Sequence, residues 1–206
     1  MKRSLRLVLA GAALAVPGIA LAQPAAAPAA PANPLLSANP TYATIPMEID
    51  VNKPAAQVWA RVGKFCDIGE WLQIATGCTI VSGKDGEVGA VRNVGGEVLV
   101  AKTPLSYAYT QTVRNSIRAN GTVPYNLYHG NLEVRPVTAT TSRIYYTLMY
   151  DNSMMADDAA RARDLETRRT TFMRAMSNMK TLAEGGTLPP PPARPAAPPA
   201  AAPAAK

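Results

Sequence analysis

The alternation of apolar and polar positions changes period three times between residues 41 and 184. Tyr42–Val51 alternates and is rich in Ile, Thr and Val, which predicts a strand. Asn52-Lys53-Pro54 predicts a helix start, with Asn52 as cap and Pro54 in the first turn. Val58, Trp59 and Val62 give that helix an apolar face, and Gly63 ends or kinks it. Asp67–Leu72 predicts one more short helical turn, carrying Trp71. The period then returns to two. Thr79–Ser82, Val88–Val94 and Glu97–Thr103 read as short strands between glycine-containing turns, with Gly95-Gly96 as a two-residue hairpin. Leu105–Arg114 places Leu105, Tyr107, Tyr109 and Val113 on one face. Asn126–Val137 does so with Tyr128, Leu132 and Val134, and Arg143–Asp151 with Ile144, Tyr146, Leu148 and Tyr150. Seven strands with mostly short connections imply a curved antiparallel meander. Over Asp157–Ala183, Leu165, Phe172, Met176, Met179 and Ala183 form one helical stripe, and Gly185-Gly186 stops it. At roughly 1.5 Å per residue that helix is ~40 Å long, enough to cross a sheet. One long helix against one antiparallel sheet is an α+β arrangement.

The two ends of the chain follow other rules. Lys2, Arg3 and Arg6 precede an apolar stretch from Leu7 to Ile19, and Ala20-Leu21-Ala22 then offers small residues before Gln23. A charged start, a short apolar run and an A-x-A site predict a signal peptide cleaved near Ala22 and a secreted or periplasmic mature protein. A membrane anchor is the rival reading, but a spanning helix needs roughly 20 apolar residues, and Pro17 and Gly18 interrupt a shorter run. Residues 23–40 are mostly Ala and Pro, and so is the segment 185–206 after its paired glycines. Such segments lack the apolar bulk to offset ordering entropy, which predicts a disordered linker and a disordered tail around one folded domain, residues 41–184.

Charge excludes one class of partner. The chain carries +7, but without Lys2, Arg3 and Arg6 it has 18 basic against 14 acidic side chains. The arginines crowd residues 161–174, interleaved with Asp164 and Glu166 and preceded by Asp157 and Asp158. That is a solvated mixed-charge helix face, not a nucleic-acid patch. No second long apolar run predicts a membrane span. Cys66 and Cys78 are the only cysteines, and in an oxidising compartment a close pair reads as a disulfide. Closing a loop of about 13 residues is worth roughly 3 kcal/mol in the chain-entropy account. The rival, a metal or redox pair, meets two obstacles. A metal site needs three or four ligands while His129 is the sole histidine, and the spacing is not C-x-x-C. No metal and no cofactor are expected.

The element order resembles the helix-grip fold of the SRPBCC superfamily, which includes START lipid-transfer domains, birch-pollen-allergen proteins and polyketide cyclases. Pro54-Ala55-Ala56-Gln57-Val58-Trp59 resembles the opening of that superfamily's first helix. Phe65-Cys66-Asp67-Ile68-Gly69-Glu70-Trp71, with Cys78, is similar to a pattern of its exported members. Gly89-Ala90-Val91-Arg92 matches the G-x-V-R strand of the polyketide cyclase/dehydrase-like branch, and Pro124 with Asn126-Leu127-Tyr128 is similar to its P-x-x-N-Y segment. The chain departs from the pattern at Leu99–Thr103, which holds no acid, and at Tyr145-Tyr146, where members often carry Trp.

The resemblance implies a cavity between the long helix and the sheet. The candidate lining is Trp71, Arg92, Tyr107, Tyr109, Tyr128, Tyr146, Met173 and Met176, with Tyr150 beside them. Tyrosine supplies apolar area plus one orienting hydroxyl, and methionine adapts to irregular shapes. The competing reading is that these side chains only pack a core. Arg92, on an apolar face, needs a partner: a ligand carboxylate, an internal acid such as Glu97, or solvent at an edge. His129 alternates with Tyr128 and so faces away from the cavity, leaving no candidate catalytic residue; no nucleophile elbow or phosphate loop appears. Three functions fit. The first is an exported carrier or sensor of a small apolar or aromatic ligand. The second is a cyclase/dehydratase-like enzyme. The third is an envelope protein that engages a partner through its Pro/Ala tails.

Overall fold

The computed structural model describes residues 40–111 and 127–191. The predicted signal peptide, the linker up to residue 39, Val113, Arg114, Pro124 and Asn126 lie outside the described residues. Within them runs one seven-stranded antiparallel sheet, in order β1-β7-β6-β5-β4-β3-β2, with three helices. The strands are β1 (Tyr42–Val51), β2 (Ile80–Ser82), β3 (Val91–Arg92), β4 (Glu97–Thr103), β5 (Ser106–Gln111), β6 (Tyr128–Pro136) and β7 (Ser142–Asp151); the helices are α1 (Ala55–Val62), α2 (Ile68–Trp71) and α3 (Asp158–Ala183).

Period-two patterning decides which face is buried. On β6, Tyr128, Gly130, Leu132 and Val134 point inward, and on β7 so do Ile144, Tyr146, Leu148 and Tyr150. Helix α3 lays Phe172, Ala175, Met176, Met179 and Leu182 against them. Burying each large side chain of that stripe contributes about 1.5–3 kcal/mol. Leu165, Met173 and Ala183 flank it, partly buried. Asp157 caps α3 by accepting from the Ala160 amide at 2.7 Å, and Gly185, at φ 87°, ends the helix. Pro46 sits on β1, an edge strand, and its carbonyl turns outward to accept from Arg169. The donor that proline lacks therefore belongs to the unpaired side of the strand.

Four local expectations are corrected. Asn52 does not cap α1: the helix begins at Ala55 after Pro54, whose carbonyl accepts from the Gln57 and Val58 amides, while the Asn52 amide donates to Glu184. The strand expected over Val88–Val94 shrinks to Val91–Arg92, and Val88 is 59% exposed. Its first half is turned by Gly83, Gly86 and Gly89, all at positive φ. The β3–β4 connection is also four residues, Asn93–Gly96, rather than Gly95-Gly96 alone, and this length sets Arg92 opposite Glu97. The segment assigned by composition to the tail begins attached to the domain. Leu188 packs against the core, and Gln73, itself at φ 55°, donates to the Pro189 carbonyl at 2.6 Å.

Candidate functional site

An Arg92-centred cluster organises the concave side of the sheet. Arg92 is fully buried and Glu97 nearly so. Arg92 Nε donates to Glu97 Oε2 at 2.7 Å, Nη2 lies 2.5 Å from the same oxygen, and Nη1 donates to the Phe65 carbonyl. The guanidinium is sandwiched between the Phe65 ring at 4.2 Å and the Tyr109 ring at 4.7 Å. Burial opposes the Arg92 charge, and the facing Tyr107 and Glu97 more than restore it. Burial likewise pushes the Glu97 carboxyl above the ordinary carboxylate range, with Arg92 pulling against it. Of the partners open to Arg92 from sequence, the internal acid is the one observed.

Aromatic packing extends from this cluster. Tyr109 and Tyr146 share a hydroxyl hydrogen bond of 2.7 Å, and burial raises both phenols well above their usual range. Tyr109 can lie flat across β6 because residue 130 is glycine: a Cβ there would sit 2.3 Å from Tyr109 Cζ. Trp71 meets the Tyr146 ring edge-on at 6.1 Å, and its carbonyl accepts from Asn178. Tyr128 stacks near Tyr150, whose hydroxyl donates to Asp164, and Arg168 covers both rings. Met176 is fully buried and Met173 partly so. The structure thus brings Trp71, Arg92, Tyr107, Tyr109, Tyr146 and Met176 into one buried cluster, with Tyr128 and Met173 at its α3 side.

Open space lies beside this cluster. A cleft of about 710 Å³ runs between the end of α1 and the β4–β5 hairpin. Trp59, Phe65, Leu99 and Tyr107 give it an apolar lining, and Lys64, Asp85 and Lys102 are its charged residues. Of the eight residues predicted from sequence, Tyr107 lines this cleft. Trp59, expected on the apolar face of α1, is partly buried there, packed against the core with its ring 5.8 Å from that of Tyr107. Lys102 and Lys64 had no signal in the sequence: the cleft arises where a helix end meets a hairpin, and no periodicity encodes that meeting. The volume falls in the usual range for small-molecule sites, roughly 300–1,000 Å³. Cys66 and Cys78 are bonded, tying the segment after Phe65 to the approach to β2. His129 is on the face of β6 opposite Tyr128 and Gly130, and burial lowers its imidazole. No metal-holding group of three or more His, Cys, Asp or Glu occurs among the described residues, and none of their helices is long and apolar enough to cross a membrane.

A long helix gripped by a curved seven-stranded sheet, with two short helices after the first strand, is the helix-grip architecture of the SRPBCC superfamily. Within it, the chain belongs to the polyketide cyclase/dehydrase and lipid transport family, whose model matches residues 42–184. Among solved structures, it is similar to a protein of Nitrosospira multiformis at 24% identity and TM-score 0.53, over 68% of this chain and 94% of that one. It is similar to a Thermobifida fusca protein at 22% identity and TM-score 0.55, over 69% and 95%. The Zhui aromatase/cyclase from a Streptomyces species aligns at 15% identity and TM-score 0.50, over 71% and 100%. These likenesses establish the shared fold. A search of curated proteins finds no significant match.

Proposed function

We propose that this domain binds a small apolar or aromatic molecule in the cleft between α1 and the β4–β5 hairpin, and that it acts as a carrier or sensor after export. The observation that carries the proposal is the cleft: about 710 Å³, walled by two indole or phenyl rings, one phenol and a leucine. The titratable side chains touching it are Lys64, Asp85, Lys102 and Tyr107, while His129 lies on the other face of the sheet. That set suits holding a ligand better than moving protons at neutral pH. The charged start and A-x-A site of residues 1–22 support export, and so does the Cys66–Cys78 bond, which persists in oxidising compartments.

N-phenyl-1-naphthylamine, a neutral aromatic probe that brightens in apolar sites, tests the reading. The full mature chain should bind it saturably, and Ala60→Trp should abolish the signal without lowering the melting temperature. Ala60 is exposed on α1 and lines the cleft, so an indole there fills the space without disturbing the core. Equal binding by Ala60→Trp would move the site elsewhere, and failure of the unaltered protein to bind would remove the carrier reading.

A further inference from the structure

We infer that the ligand of this cleft is an amphipathic anion: an aromatic or aliphatic body bearing one carboxylate, sulfonate or comparable group held at the rim by Lys64 and Lys102. The inference rests on the binding role proposed above and specifies the chemical class that the site selects. Three observations carry it.

First, the rim is electropositive. Two lysines line the cleft against one carboxylate, Asp85. Neither lysine is in an ion pair among the described residues, whereas Lys84 nearby is paired with Glu87 at 2.6 Å. Lys102 Nζ donates to the Gly86 carbonyl at 2.5 Å, a neutral acceptor that leaves its charge uncompensated. Lys64 is exposed just before Phe65, where its backbone amide donates to the Asp67 carboxylate and its carbonyl accepts from the Asp67 amide. Second, the two lysines approach from opposite walls, one from the end of α1 and one from β4, so both ammonium groups serve the same opening. Third, the inner part of the cleft is apolar. Tyr107, 3% exposed, contributes to its lining, while its hydroxyl sits beside the Arg92 guanidinium and is not left for a ligand. The walls between rim and floor, Trp59, Phe65 and Leu99, receive the apolar body.

A neutral ligand would leave both cations unanswered, and a cationic one would be repelled. Exposed ion pairs contribute modestly each, so the rim acts as a selector on top of apolar burial.

Two probes with one skeleton separate these contributions. The sulfonate 8-anilinonaphthalene-1-sulfonate and the neutral N-phenyl-1-naphthylamine differ by the anionic group. The full mature chain should bind the sulfonate more tightly, by about fivefold at low salt, the amount expected from two exposed charge contacts. Raising the ionic strength should erase the difference. Lys64→Gln/Lys102→Gln should lose the preference while keeping its affinity for the neutral probe, which also reports that the variant is folded. Equal affinities for both probes in the unaltered protein would overturn the charge selection while leaving the apolar site intact. A double variant that still prefers the sulfonate would overturn the assignment to these lysines. Absence of binding by either probe is the distinct result that removes the underlying carrier reading.

Discussion

Replacing Arg92 with methionine keeps an apolar stem of similar length and removes the guanidinium from the most crowded polar position of the domain. The change deletes two contacts to Glu97, at 2.7 and 2.5 Å, and one to the Phe65 carbonyl, together with stacking on two rings. Glu97, 4% exposed, is left with no cation. Removing one partner of a buried ion pair costs about 3–5 kcal/mol, because the surviving charge is stranded away from water. Glu97 escapes this penalty by keeping its proton. Burial already pushes its carboxyl up, and Arg92 pulls it down, with a smaller contribution from a hydrogen bond with Gln111. In Arg92→Met the folded-state pKa therefore rises further above the unfolded value. The folded state then holds a proton that the unfolded state has released. Stability is fully present below the unfolded pKa and falls as pH climbs toward the folded one, by up to about 1.4 kcal/mol per pH unit. Urea unfolding followed by tryptophan fluorescence, at pH 5 and pH 7, reads both effects. Arg92→Met should lose about 3–5 kcal/mol at pH 7 and recover part of it at pH 5. Arg92→Met/Glu97→Met, with no stranded charge, should be more stable than the single variant at pH 7. A loss under about 1 kcal/mol for Arg92→Met, or a double variant as unstable as the single, would refute the idea that the pair is a coupled buried unit.

Gly130→Ala should cost about 1–3 kcal/mol, because its Cβ would sit 2.3–2.4 Å from two ring carbons and the hydroxyl oxygen of Tyr109; the same change in a Tyr109→Ala background should cost far less, and equal costs in the two backgrounds would refute the steric account. Ending the chain after Pro191 should leave the melting temperature unchanged, while ending it after Thr187 should remove the Leu188 contact and the Gln73–Pro189 hydrogen bond, about 1 kcal/mol or roughly 3–5 °C; equal melting temperatures would show that the attachment contributes nothing.

The sequence made the scaffold legible where a single periodicity governs many residues. Strands β6 and β7 alternate without interruption, and the stripe from Phe172 to Met179 fixes which face of α3 meets the sheet. Legibility fails where a local signal competes with tertiary demand. Asn52 is a good capping residue, but its amide is claimed by Glu184 across 132 positions, and Pro54 takes the helix start. Val88 fits a strand pattern, but Gly86 and Gly89 on either side adopt positive φ and turn it outward. Arg92 was recognisable as a charge requiring a partner; choosing among partners required knowing that the β3–β4 loop has four residues, which sets Glu97 directly opposite. The cleft is the least legible feature, since its walls come from α1, the segment before α2, β4 and β5.

Phe65 connects the buried cluster to the cleft. Its ring lies in the cleft wall on one side and under the Arg92 guanidinium at 4.2 Å on the other. Its carbonyl accepts from Arg92, and the next residue, Cys66, is bonded to Cys78. A segment outside any strand or long helix is therefore held by a covalent tie, a charged hydrogen bond and a cation–π contact. Loops are ordinarily the mobile parts of a fold, and ordering one on binding subtracts from affinity. Here the ordering is already accomplished by Arg92 and the Cys66–Cys78 bond, which do not line the cleft. The buried Arg92–Glu97 pair is thus poor evidence for extra stability, since an apolar pair fills such a space at least as well. Its value lies in position: it braces the inner wall of the cleft against the sheet, so that the shape of that wall is set in advance.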